Sequence, residues 1–182
     1  MLKDRTKWLF ANTLMEMVET MPLEKVRVRE LCERCGADRQ TFYYHFSDKY
    51  DLAAWIYIQD YESSLTDTDG KYTVEHAAGI LRRMKDKEVF YRKALSDKSQ
   101  NAISQYLYEY YVKLGTTAVC ADRGTDKLPV QDLYAIKSHA FACVGHTMEW
   151  LEGKAGYTPM EFALLQYTYM PDFLKKAYGI ET

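Results

Sequence analysis

Apolar side chains recur every three or four residues along most of the chain, and each such stretch reads as one face of an α-helix. The first covers residues 3 to 20, with Trp8, Ala11, Leu14, Met15 and Val18 on one face. Pro22 breaks it, and MPLEKVRV leads to a short stretch in which Val28, Leu31, Cys32 and Cys35 repeat at the same spacing. Gly36 follows directly. A glycine just past the last periodic position supplies the left-handed backbone that stops a helix, and Asp38 is placed to cap the next one. That helix is predicted over 39 to 46, with Phe42 and Phe46 four apart as its anchors. Ser47 is a candidate cap for a longer helix, 48 to 63, carrying Leu52, Trp55, Ile56 and Ile58.

The polar segment SSLTDTDGKY, residues 63 to 72, reads as a loop. Beyond it, helices are predicted near 73 to 86, 88 to 95, 99 to 120, 130 to 152 and 158 to 176. Breaks fall at Ser96-Asp97, at ADRGTDKLP and at EGKAGYTP. No alternating strand pattern competes, so the expected fold is all-α, with an N-terminal three-helix bundle over 1–47 and a larger helical domain over 48–182. The stretch from Leu133 to Leu151 is apolar on two sides. One series (Leu133, Ile136, Ala140, Val144, Met148, Leu151) is a core stripe and another carries His139, Cys143, His146 and Trp150. A helix buried on two sides needs two partners.

Two short helices joined by a three-residue turn containing glycine form a helix-turn-helix, whose second helix enters the DNA major groove. With Phe42 and Phe46 turned to the core, Arg39, Gln40, Tyr43 and Tyr44 are left to make contacts. Arginine reads guanine O6/N7 and glutamine reads adenine N6/N7, while Thr41, Tyr43, Tyr44, His45 and Lys49 carry donors for phosphate oxygens.

The segment VRVRELCERCGADRQTFYYHFSDKYDL, residues 26 to 52, resembles the helix-turn-helix of the TetR/AcrR transcriptional regulators. The shared features are the glycine turn, a Thr-aromatic-Tyr core, His-Phe, and a lysine two residues past the serine. The run DRQTFYYHFSDKYDL, followed by Trp55, is most similar to the branch of dihydroxyacetone-kinase regulators. The resemblance implies that Arg39, Gln40 and Tyr43 read bases, and that Arg29, Thr41, Tyr44, His45 and Lys49 grip the backbone. Val28 stands where the family often has Ser or Thr, and Gln40 where it often has a small residue, which makes Gln40 a candidate specificity position. The resemblance further implies that 1–47 binds DNA and 48–182 binds an effector and dimerises. The last two long helices then build a two-fold four-helix bundle, with Gly145, Trp150 and Phe162 expected at the interface. Such a homodimer spaces its reading heads about one DNA turn, roughly 34 Å, on a near-palindromic operator. Repression relieved or promoted by a small-molecule effector is the family's default. Some relatives in the branch act as activators with a partner protein, so a co-regulator acting on a weakly DNA-binding chain is the alternative.

Composition adjusts this picture in places. The formal net charge of −2 and a pI near 6.1 offer no global attraction to nucleic acid. From Lys25 to Lys49 there are six basic residues against four acidic ones, and Lys3, Arg5 and Lys7 stand against Asp4, so the basic patch is local and weak. No run of 18 apolar residues or signal-peptide core is visible, so a cytoplasmic protein without membrane contact is expected. Cys32 and Cys35 form a C-x-x-C pair, but both lie on the apolar face of a helix and read as small buried side chains. His139, Cys143 and His146 are candidate ligands for a soft cation, with Glu149 as a further donor, although a core and interface face is the preferred reading. The tyrosine-rich helix NAISQYLYEYYVKLG offers apolar walls with polar tips, and Tyr106, Tyr110 and Phe141 are the candidate effector-pocket residues. With no phosphate loop, nucleophile elbow or paired-carboxylate motif, neither catalysis nor a cofactor is expected.

Overall fold

A computed structural model describes residues 2–68, 72–99 and 102–180. Among the described residues it contains ten α-helices, one short 3-10 turn and no strand. The N-terminal unit comprises α1 (Leu2–Thr20), α2 (Val28–Cys35) and α3 (Arg39–His45). Phe10, Ala11, Leu14, Met17 and Val18 line the buried face of α1, which packs on α2. Trp8, expected on that face, lies at its edge and packs edge-on against Trp55 at 5.1 Å.

α4 (Lys49–Thr66) leads out of this unit, capped by Asp48 and not by Ser47. The Asp48 carboxylate accepts from the backbone N–H groups of Tyr50 (2.8 Å) and Asp51 (2.9 Å). Two otherwise unpaired donors are satisfied by one anion, more than a serine hydroxyl one residue earlier provides. α4 also runs on to Thr66, so 63–66 is helical where a loop was expected. The rest of that loop, the start of the helix expected at 99 and the Lys3 side chain fall in part or wholly outside the described residues.

The remaining helices are α5 (Val74–Asp86), α6 (Glu88–Leu95), α7 (Ile103–Arg123), α8 (Val130–Leu151), α9 (Pro159–Thr168) and α10 (Asp172–Ala177). α5 packs on α4 and α9, and α7 packs on α8 and α10. The single helix expected over 158–176 is thus two. Pro171, with no N–H and a ring that clashes with the preceding turn, ends one and starts the other. At the front of α9, Thr158 and Glu161 form a capping box around Pro159.

One apolar core runs from Phe10 in the N-terminal unit through Ile56 and Tyr57 of α4 to Trp150 and Phe162. α6 ties the two ends together: the Lys93 ammonium donates to the carbonyls of Val18 and Glu19 at the end of α1, each at 2.8 Å. Nearby, Tyr50 donates to the Asp97 carboxylate at 3.2 Å. Within the core, the buried Asp60 carboxylate on α4 receives Lys87 and the Tyr91 hydroxyl.

Candidate functional site

Gly36 takes φ +65°, the left-handed conformation that stops α2, and Ala37 N–H returns to the Cys32 carbonyl at 3.0 Å. The chain then re-enters a helix at Asp38, whose carboxylate accepts from Thr41 N–H at 2.6 Å. That bond favours the ionised acid and holds the Asp38 pKa below its ordinary value. α3 is only seven residues long, and Phe42 fixes its roll. Its ring is fully buried, edge-on to Phe10 at 5.2 Å and tilted against Phe46 at 5.8 Å.

At about 100° per residue, burial of Phe42 turns Arg39, Gln40, Tyr43 and Tyr44 together to solvent. All four are exposed, Tyr44 at 68%. The Arg39 guanidinium lies 5.8 Å from the Tyr43 ring, which holds it over α3. Thr41 and His45 are half-buried at the flanks, with the His45 ring 5.0 Å from Tyr44. The face therefore offers a planar bidentate donor, an amide and two phenolic hydroxyls on one rigid support. Arg29 stands on the exposed side of α2, paired with Glu33 at 2.8 Å.

Lys49 departs from its expected place as a phosphate ligand. Its ammonium donates to the carbonyls of Glu24 and Val26, the latter at 2.9 Å, and stitches α4 to the segment before α2. Burial lowers its pKa, against the opposing pull of Asp97, Asp48 and Glu24.

The larger domain encloses a cavity of about 100 Å³ between α4, α5, α7, α8, α9 and the segment after α10. Of the expected pocket residues, none lines it. Phe141 is 73% exposed and leans against Tyr108, while Tyr106 stacks on Tyr110, which packs edge-on behind Tyr61 at 5.5 Å. The tyrosines that do line it are Tyr61, Tyr72, Tyr111, Tyr167 and Tyr178. On α7 the difference is one residue: Tyr111 is rotated about 100° from Tyr110 around the helix. His76 on α5, His139, Cys143 and Thr147 on α8, Gln166 on α9 and Thr73 before α5 add to its polar wall.

His139 and Cys143 touch, with Nε2 3.5 Å from Sγ, and burial pushes the imidazole down to about 4 and the thiol up to about 12. Both are neutral near pH 7. The His146 Nδ1 lies 3.6 Å from the Glu149 carboxylate, and among the described residues no three His, Cys, Asp or Glu side chains come together as a metal site. Cys32 is buried and the Cys35 thiol donates to the Cys32 carbonyl, in keeping with the small-residue reading of that pair.

Trp150 and Phe162, expected at a subunit interface, are instead packed inside the chain. Their rings lie 5.5 Å apart, and the Trp150 indole donates to the Tyr157 carbonyl at 2.7 Å. Gly145 does face outward, with nothing within 4 Å of where a Cβ would stand. An open groove of about 790 Å³ lies between α8 and α9, lined on α8 by Ala135, Ser138 and Ala142 together with His139, Cys143 and His146. The exposed large apolar side chains of these helices are Val130, Tyr134 and Phe141 on α8 and Met160 and Leu164 on α9.

Two family models match the chain. A model described as the C-terminal region of transcriptional regulators matches residues 73–172, and one of bacterial regulatory proteins of the tetR family matches residues 14–55. The HTH-type dhaKLM operon transcriptional activator DhaS of Lactococcus lactis subsp. lactis (strain IL1403) is 24% identical over 89 residues, 48% of this chain and 48% of that protein. The chain therefore matches about half the length of this curated relative. A solved structure, the dihydroxyacetone kinase operon activator DhaS, superposes with a TM-score of 0.60 at 14% identity, covering 97% of this chain and 98% of that one, a likeness of fold. With a helix-turn-helix at its head, a helical body behind it and family models matched to both, the chain belongs to the TetR family of bacterial DNA-binding transcriptional regulators.

Proposed function

We propose that the protein is a homodimer that binds a near-palindromic operator through α3, and that occupancy of the α4–α10 cavity by a small molecule changes its affinity for that operator. The observation that carries this reading is the face of α3: Arg39, Gln40, Tyr43 and Tyr44 held outward by a capped turn and a buried Phe42. Arg39, Gln40 and Tyr43 read base edges, with phosphate contacts from Arg29, Thr41, Tyr44 and His45. Residues 1–47 act as the reading head, and 48–182 as the effector-binding and dimerising part. The second copy is proposed to seat on the groove between α8 and α9, where the small side chains on α8 allow close helix approach, as does the outward-facing Gly145.

Coupling needs two arrangements of the chain that the effector binds unequally. α4 walls the cavity through Tyr61 and begins at the reading head. α6 holds the end of α1 through Lys93. A shift of α4 against α6 therefore moves the head.

Repression by operator occupancy is the default that the family likeness suggests. A second reading, activation with or without a protein co-regulator, is favoured by the names of the two matched proteins, both activators. Those names also make operons for dihydroxyacetone kinase the first candidates for the regulated genes. The test is to capture sheared host DNA on the purified protein, sequence what is retained, and measure transcription from the retained promoter with the gene deleted. A rise in transcript establishes repression and a fall establishes activation; retention of no promoter fragment contradicts the reading.

A further inference from the structure

The wall of the cavity restricts what fits it in three independent ways. The first is size. An apolar cavity of about 150 Å³ admits a benzene-sized molecule. At about 100 Å³ this one holds a molecule of roughly four to six heavy atoms.

The second is charge. Among the described residues no Asp, Glu, Lys or Arg lines the cavity. Burial lowers the pKa values of His76 and His139 and raises those of Tyr61, Tyr111, Tyr178 and Cys143, so these six side chains are neutral near pH 7. An ionised ligand meets no counter-charge here, and an unpaired buried charge is strongly disfavoured.

The third is hydrogen bonding. The Tyr61 hydroxyl, the Tyr72 hydroxyl and both ring nitrogens of His76 are buried and have no hydrogen-bond partner within the protein. His76 is 1% exposed and Tyr61 4%. The three rings form one contiguous patch of wall, with centroids 4.9 Å (Tyr61–His76), 5.0 Å (Tyr72–His76) and 6.0 Å (Tyr61–Tyr72) apart. Ring stacking of Tyr72 on Tyr178 at 4.5 Å and donation from Ser64 Oγ to the His76 carbonyl at 2.7 Å hold this patch in place. A buried polar atom left without a partner costs about 1–3 kcal/mol, so four in one patch point to a polar occupant. Two hydroxyls and a neutral imidazole each donate and accept, and are matched by a molecule that does both at adjacent positions.

We propose that the cavity is the site of a small uncharged hydroxy compound of about three or four carbons, a polyol or hydroxyketone, bound by Tyr61, Tyr72 and His76. The inference rests on the effector reading above and specifies its chemistry. It excludes phosphorylated metabolites, amines and purely apolar ligands.

The test is calorimetric titration of the full-length protein with glycerol and hydroxyacetone, with glycerol 3-phosphate as the charged counterpart and toluene as the apolar one. Tyr61→Phe and Tyr72→Phe are run alongside. Each removes a hydroxyl without a protein partner, so the ligand-free melting temperature should stay the same or rise, while affinity for the hydroxy compound falls about tenfold. A purely structural role for these hydroxyls would lower the melting temperature instead and overturn the assignment. Tighter binding of toluene or of the phosphate ester, or no binding by either hydroxy compound, overturns the ligand class. The effector reading is judged separately, by whether a small-molecule extract of host cells shifts DNA binding by the protein.

Discussion

Gly79, in the middle of α5, packs directly against Ser64 of α4, and Gly79→Ala probes how tightly that contact holds the cavity wall. A Cβ at this position would stand 2.2 Å from Ser64 Oγ and 3.3 Å from Ser64 Cβ. In a free helix, alanine in place of glycine gains about 1 kcal/mol. Here the Ser64 hydroxyl must swing away, and its bond to the His76 carbonyl at 2.7 Å is lost in a buried site. Losing that bond costs about 1–3 kcal/mol. Overpacking adds about 1–3 kcal/mol. The net expectation is a loss of about 1–5 kcal/mol, several degrees in melting temperature for a chain of this size. Thermal and denaturant unfolding at one fixed protein concentration measure it, since a dimer's transition depends on concentration. Ser64→Ala removes the clashing oxygen, so Gly79→Ala should be milder in a Ser64→Ala background by about 1 kcal/mol or more. A stabilised Gly79→Ala protein, or strict additivity of the two substitutions, would refute the close-contact argument.

Three further outcomes follow from the site and the core. Gln40→Ala and Arg39→Ala should each relax base preference at one operator position, at a cost of about 1–3 kcal/mol on the preferred sequence; equal loss on every sequence would remove them as base readers. Lys49→Met should destabilise the head by about 1–3 kcal/mol, because its ammonium bonds two backbone carbonyls. It should leave the salt dependence of DNA binding unchanged, whereas loss of a phosphate contact lowers that slope by about 1. For pH, His139 titrates near 4 in the folded chain and about 6.5 when unfolded. Its contribution is full above about pH 6.5 and is lost as pH falls toward 4, on the order of 3 kcal/mol in all, with His76 acting in the same direction. Denaturant midpoints at pH 7.5 and 5 should therefore differ less for His139→Gln than for the parent protein, and an unchanged difference would contradict the buried neutral imidazole.

Local signals made the reading head legible in the sequence. Gly36, Asp38 and the Phe42/Phe46 spacing each specify a backbone or packing choice within a few residues, and together they fix which side chains of α3 face outward. The sequence also carried Pro171, which divides the last long helical stretch, but the apolar run on both sides of it concealed the break. Lys49 and the cavity were not legible for a different reason. The carbonyls that hold the Lys49 ammonium lie more than twenty residues away in the chain. The cavity draws single side chains from α4, α7 and α10 and several from each of α5, α8 and α9, and helical periodicity fixes neither how a helix rolls nor which residue of a tyrosine run faces inward. Trp150 illustrates the same limit: apolarity on a second helix face marks a second partner, and for the Trp150 ring that partner is Phe162 of the same chain.

Selection of duplexes from a random library by the purified protein, at moderate salt, tests the central claim most directly. The account predicts enrichment of a near-palindrome whose half-sites lie about one helical turn apart, roughly 34 Å, with enrichment at one position lost for Gln40→Ala. Recovery of no sequence above background, with the protein folded and the small-molecule extract both absent and present, would contradict it.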